Sequence, residues 1–257
     1  MHKSAFPILE FDAKSTNLIE AKNNIRKKMN LPKYCVLSFF GDEVRKFVKN
    51  NKCTKIGDLV LESFKLPIYK YSNEDNIEIA IFHALAGGPY AAGQIEKLIA
   101  MGGENFIVCG GCGILDSQLK TSKILIPNIA LRDEGTSYHY VEPSRFISID
   151  EQVKNNLCDH LNTLGIEYKL VKTWTTDAIY RETINLINLR KEEGCEIVEM
   201  ECASFFAVSQ YKKVKLAVLL YSGDDLSSSE WQNNNWKNNK TARQSLIELS
   251  LKCVVSI

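Results

Sequence analysis

The 257-residue chain lacks an excess of charge of either sign: 32 Lys and Arg offset 31 Asp and Glu, a net of +1, with both signs mixed along the sequence. That excludes the electrostatic footprint of a protein that grips nucleic acid or an anionic membrane surface. Long hydrophobic runs are also missing. No apolar stretch approaches membrane-spanning length and residues 1–12 hold no apolar core of signal-peptide length, so a cytoplasmic protein is expected. Histidine is scarce, and His2, His83, His139 and His160 show no ligand spacing. The eight cysteines are scattered irregularly in a chain too long to depend on disulfides, so free thiols in a reducing compartment are expected. Cys109-Gly-Gly-Cys112 is the one CxxC, and without a second pair it supports neither a metal site nor redox chemistry strongly. There is no internal repeat. No metal and no cofactor are expected, and the partners left are small molecules and other copies of the chain.

What is present is ordinary globular composition, 45% hydrophobic and 25% charged, enough for one domain over residues 1–257 with a large core. Residues 1–33 read as a polar helical lead-in, with Leu18, Ala21 and Ile25 at helical spacing. Buried strands are expected at 34–40, 66–71, 77–85, 106–109, 123–130, 168–174, 197–199 and 215–221. Helices are expected at 43–48, 90–101, 150–164, 202–211 and 241–255, and 231–240 reads as a mobile Asn-rich insertion. Strand and helix alternate throughout, which predicts an α/β fold with a mixed central sheet flanked by helices.

The stretch that organises the chain is Glu196-Ile-Val-Glu199-Met-Glu201-Cys-Ala-Ser-Phe-Phe-Ala-Val208, three carboxylates inside an apolar run. A carboxylate withdrawn from water needs donors, and a sugar diol offers two hydroxyls that one carboxylate can accept together. The competing reading is acidic decoration of a helix N-terminus. Other unusual residues also follow strands. Gly41 and Arg45 could meet an anion at a helix start, or form a plain turn with an outward arginine. Three glycines in Gly110-Gly-Cys-Gly113 permit positive φ and a backbone laid against a ligand. Residues 132–140 and 175–183 combine polar and aromatic groups suited to pocket walls, and Ser222-Gly-Asp224 ends the last strand. In an α/β sheet such ends converge on one rim.

With those residues in view, the chain from about Tyr34 onward resembles the nucleoside phosphorylase family, which includes uridine phosphorylase, hexameric purine nucleoside phosphorylase and the methylthioadenosine nucleosidases. Val198-Glu-Met-Glu-Cys-Ala203 carries the most specific likeness, and it implies that Glu201 binds the ribose 2′- and 3′-hydroxyls while Met200 packs on the sugar. The resemblance implies phosphate contacts from Gly41, Arg45, Gly110 and Gly111, and base contacts from Cys112, Gly113, Ile179, Tyr180 and Glu199. It implies that Asp224 protonates a purine N7, assisted by Arg243. It also implies a three-layer fold, nucleoside and phosphate as substrates, and a homo-oligomer, a dimer or a hexamer built as a trimer of dimers, in which a neighbour completes each pocket. Two departures stand out: Val108 replaces the family's arginine and Gly111 replaces a Ser or Thr phosphate ligand. Three functions are therefore expected in descending order: phosphorolysis of a nucleoside, purine favoured over uridine; hydrolysis by water; and nucleoside binding or storage without catalysis.

Overall fold

The apolar run after Lys33 forms strand β1 (Tyr34–Ser38), buried at every position but its first, and Gly41 opens helix α1 (Gly41–Asn50) directly behind it. The computed structural model describes residues 3–24, 30–61, 65–121, 124–235 and 238–257. Ile25 of the expected lead-in, Lys123 at the start of an expected strand, and positions 236–237 of the Asn-rich stretch lie outside them. The remaining elements are β2 (Thr54–Val60), β3 (Lys65–Ser72), β4 (Glu78–His83), α2 (Gly88–Ala100), β5 (Asn105–Ile114), β6 (Leu125–Asp133), β7 (Phe146–Ser148) and α3 (Glu151–Thr163). They continue with β8 (Lys169–Thr176), α4 (Ile184–Glu192), β9 (Ile197–Glu199), α5 (Cys202–Lys212), β10 (Lys215–Asp225) and α6 (Lys240–Cys253).

Among the described residues ten strands join one mixed sheet, and its pairings bend half of it into a ring. β5 pairs with β10, β10 with β6, β6 with β8, β8 with β9, and β9 returns to β5. From β5 the sheet also runs outward through β1, β4, β3 and β2. β4, β1, β5 and β10 are mutually parallel neighbours, so their carboxyl ends lie side by side. β9 runs against β5, pairing Val198 with Gly113. The turn after β9 therefore arrives beside the middle of the glycine segment, not beyond its end.

The core is apolar and falls into two clusters, a large one with Phe82, Phe106, Phe205 and Phe206 fully buried and a smaller one in which Trp174 packs with Val198 and Leu226. α5 is buried from Cys202 through Ser209, so it is enclosed on all sides, as a helix apolar all round should be. Among the described residues no helix is long and apolar enough to cross a membrane.

Four expectations need correction. The described part of residues 1–33 holds only two short 3-10 turns, Pro7–Leu9 and Ala21–Asn24, and its apolar Leu18 is 97% exposed; no core face holds it in a helix. Gly110, Gly111 and Gly113 do not follow a strand: they lie in β5, and none has positive φ. Their missing side chains admit neighbours instead, since a Cβ at Gly110 would stand 2.8 Å from Phe39, and one at Gly113 2.7 Å from Leu226 and 2.8 Å from Val198. Ser222-Gly-Asp224 likewise belongs to β10, whose register with β5 shifts there. The Asn-rich stretch is tied back to the sheet where it is described: Gln232 pairs with Asp225 in an isolated bridge.

Candidate active site

Glu199 and Glu201 occupy one tight turn and do different jobs. Glu199 ends β9, and its carboxylate is surrounded by donors: the hydroxyls of Thr173 (3.1 Å) and Thr175 (2.6 Å), and the N–H groups of Glu201 (2.7 Å) and Cys202 (2.6 Å). It caps the buried start of α5 and ties it to β8. Burial pushes its carboxyl up, against the pull of those donors. Glutamine in its place would offer one acceptor oxygen where two are used and would turn its NH2 toward other donors. Glu199→Gln should therefore cost roughly 2–4 kcal/mol of stability in urea denaturation; a variant as stable as its parent would show that the carboxylate does not hold this turn.

Glu201 sits at the N-cap position of α5 but makes no side-chain cap there. This removes the helix-decoration reading for Glu201 and transfers it to Glu199. The Glu201 carboxylate instead accepts the Gly87 N–H at 2.6 Å. Gly87 has φ +89°, a left-handed conformation that glycine adopts without steric cost, and this geometry turns its N–H onto a residue 114 positions away. Only 8% of Glu201 is exposed, and burial, then the charge of Glu199, raise its carboxyl to about 8. Near neutral pH this buried carboxyl holds its proton. Met200 lies half-buried between the two acids.

Asp224 accepts the indole N–H of Trp231 at 2.7 Å, and its other oxygen lies 3.6 Å from where a Gly113 Cβ would be. The Cys112 thiol, buried between β9 and β10, is pushed up by burial and then by the charges of Glu199 and Asp224, so both acids reach the same point of β5. Beside them Glu182 is raised to about 7 by burial and by Asp224. Asp177, pushed up by burial, accepts the Gly135 N–H at 2.8 Å and adds to the negative potential at Glu201. The acidic side of the site thus holds Glu199, Glu201, Asp177, Asp224 and Glu182.

Two arginines lie nearer Gly41 and Gly111. At the ends of β1 and β4, a Cβ on Gly41 would lie 2.9 Å from the His83 ring and 3.6 Å from the Arg45 guanidinium. Arg45 pairs with Asp42 on the exposed face of α1. Burial, and secondarily Arg45, hold His83 below its ordinary value. Arg243 bonds the Tyr221 hydroxyl through Nε at 3.1 Å and stacks 4.9 Å from the Phe40 ring. Tyr221 in turn covers Gly111, 3.2 Å from the position of a Cβ there.

The expected site residues are not gathered equally. Glu201, Met200, Glu199, Cys112, Gly113 and Asp224 share one stretch of β5, while Gly110 faces Phe39 just after β1, Gly111 faces Tyr221 of β10, and Gly41 and Arg45 stand past the end of β1. Ile179 and Tyr180 face solvent, 51% and 95% exposed. Arg243 contacts Tyr221 and Phe40, while the partner found on Asp224 is Trp231. Gly87, His83, Glu182, Tyr221 and Trp231 were not expected. Of these, Glu182 closes the polar 175–183 stretch already suspected as a pocket wall, and Gly87 begins the Gly-Gly-Pro punctuation before α2; neither signal says what it touches.

A family profile described as the Phosphorylase superfamily matches residues 33–255, nearly all of this sheet and its helices. The chain belongs to the phosphorylase superfamily. Among curated relatives, the guanosine phosphorylase of Halorubrum lacusprofundi is 26% identical over 153 residues, a match covering 59% of this chain and 64% of that protein, under two thirds of its length. Among solved structures, purine nucleoside phosphorylase from Toxoplasma gondii in complex with immucillin-H superposes with a TM-score of 0.72 at 19% identity, covering 88% of this chain and 92% of that one. AMP nucleosidase from Bacteroides thetaiotaomicron gives 0.71 at 18% identity, covering 90% of each chain. At such identities these superpositions establish the superfamily's fold; the chemistry of this member has to be argued from its residues.

Proposed function

We propose that the protein cleaves the N-glycosidic bond of a nucleoside with inorganic phosphate, releasing the free base and ribose 1-phosphate. The observation that carries this reading is that both charges meet along the β5 glycines: the carboxyls of Glu201, Asp224 and Glu182 gather about Cys112 and Gly113, and Arg45 and Arg243 about Gly41 and Gly111. The reaction needs both. As the C1′–N bond breaks, negative charge leaves on the base and positive charge develops on the sugar. Asp224 hands a proton to the base, with Glu182 beside it as a neighbouring proton store. Glu201 takes the 2′- and 3′-hydroxyls, Met200 packs on the sugar, and Glu199 holds Glu201 in place. A phosphate oxygen attacks C1′ from the side of Gly41 and Arg45, and phosphate as co-substrate is the sole addition the chemistry requires.

Hydrolysis by water is the second reading. Its specific support is that Val108 is fully buried and apolar and that Gly111 carries no hydroxyl, so two positions that would strengthen a phosphate site do not. The likeness to an AMP nucleosidase is compatible with it. The test is product analysis of a ribonucleoside panel with and without phosphate. Phosphate-dependent release of base together with ribose 1-phosphate is the expected result. Phosphate-independent release of base and free ribose would replace it with hydrolysis, and no release from any nucleoside would reduce the protein to a binding role.

A further inference from the structure

We propose that Arg243, anchored by Tyr221, is a phosphate-gripping residue and sets the enzyme's demand for that co-substrate. This rests on the phosphorolysis reading above and assigns Arg243 to the anion, away from the base-side acid.

The position of Arg243 is costly for a merely structural cation. It stands in the first turn of α6, whose N-cap is Asn239, where the helix dipole disfavours positive charge. Two rings fix its guanidinium. Phe40 lies beneath it at 4.9 Å, and the Tyr221 hydroxyl takes Nε at 3.1 Å. The two rings meet edge to face, 5.7 Å between centroids, so they form a rigid bracket. That bracket spans the carboxyl ends of two strands flanking β5. Phe40 is the residue before Gly41, and Tyr221 pairs in register with Gly111. The guanidinium is thereby held at the turn where α1 begins and where Arg45 and His83 crowd Gly41.

The chemistry follows from the shape. Arginine presents a planar fork that matches two oxygens of a phosphate, and a site closed by stacking preserves that plane. A second cation near Arg45 raises the local potential for a divalent anion. Gly111 contributes space instead of a hydroxyl, and the Tyr221 ring occupies it, which brings the Tyr221 hydroxyl and hence Arg243 inward. Asp224 lies on the same strand within the register shift and takes Trp231, so the two ends of this part of β10 serve different groups.

The experiment is initial-rate kinetics with phosphate and nucleoside varied separately, on the parent and on Arg243→Gln, Arg243→Lys and Tyr221→Phe. Loss of charge-assisted hydrogen bonds should raise KM for phosphate about ten- to a hundredfold in Arg243→Gln. KM for the nucleoside should stay within about threefold in every variant. Arg243→Lys should recover part of the loss, since it keeps the charge but not the fork. Tyr221→Phe, which removes the hydroxyl that takes Arg243 Nε, should raise KM for phosphate severalfold and leave kcat at saturating phosphate near the parent value. An unchanged phosphate KM in Arg243→Gln, with nucleoside KM or kcat altered instead, overturns the assignment. A parent enzyme indifferent to phosphate overturns the phosphorolysis reading itself, a result distinguishable because it appears before any variant is made. Should Arg243→Gln fail to fold by circular dichroism, the Arg243→Lys and Tyr221→Phe arms decide by the same criterion.

Discussion

Glu201→Gln should lower turnover of a ribonucleoside by about tenfold to several hundredfold, because the two donors of a bound diol favour the ionised carboxylate, and the amide keeps its shape but not the charge-assisted hydrogen bonds, worth roughly 1.5–3 kcal/mol each. The effect should be confined to substrates that carry the diol. A 2′-deoxyribonucleoside already lacks one of the two hydroxyls, so its rate should fall less and the parent's preference for the ribosyl form should shrink. Stability supplies a second, independent reading of the same residue. The folded carboxyl titrates near 8 against an ordinary 4.5, with burial first and Glu199 second as causes. Between those values the folded protein holds a proton that the unfolded chain has released, so stability is greatest below about 4.5 and declines as pH rises toward 8, by about 1.4 kcal/mol per pH unit at most. Glutamine has no such proton. Urea denaturation of Glu201→Gln at pH 5.5 and 7.5 should therefore show a smaller decline than the parent. If ribosyl and deoxyribosyl substrates keep their parental ratio and rates in the variant, the diol clamp is lost as an explanation, whatever the denaturation curves show.

That residue also marks how far the sequence could be read. Glu199 and Glu201 stood out because carboxylates are costly in an apolar run, and the boundaries of β9 and the start of α5 were legible from the same run. Which acid capped the helix was not legible, because the deciding contact comes from Gly87, far away in sequence. Contacts between distant segments leave no periodic trace. Trp231 on Asp224 was hidden for a different reason: the two are close in sequence, but an Asn-rich stretch reads as an excursion, and its indole nonetheless returns to the sheet.

The missed elements share another physical cause. β2 buries only Leu59, and α4 buries only Arg190, so neither carries the apolar period by which strands and helices are recognised. β7 has three residues, too few for any period. The glycines of β5 misled in the opposite direction. Glycine usually signals freedom of the backbone, but here Phe39, Leu226 and Val198 press into the places its side chains would fill, and the backbone stays extended. The consequence is functional: the strip that faces the site is smooth because the neighbours behind and beside it are tightly packed.

Asp224→Asn should produce the largest loss of activity, about a hundred- to ten-thousandfold on a purine ribonucleoside, the range that a general acid contributes. The amide keeps an oxygen for the Trp231 indole but has no proton acidic enough to follow the electrons onto the base. Its removal also relaxes Glu182, whose carboxyl is raised to about 7 by burial and then by the charge of Asp224. Without that charge Glu182 should titrate lower and hold its proton less well near neutral pH, so the variant's residual rate should decline with rising pH earlier than the parent's. A leaving group that needs no proton separates this chemistry from simple damage to the pocket. A purine nucleoside methylated at N7 departs as a neutral base without protonation, so Asp224→Asn should slow it by less than about tenfold. Equal losses on the methylated and ordinary substrates would show that Asp224 holds the site together and does not act as its acid. Full activity on both would remove Asp224 from the mechanism, and with it the preference for purines.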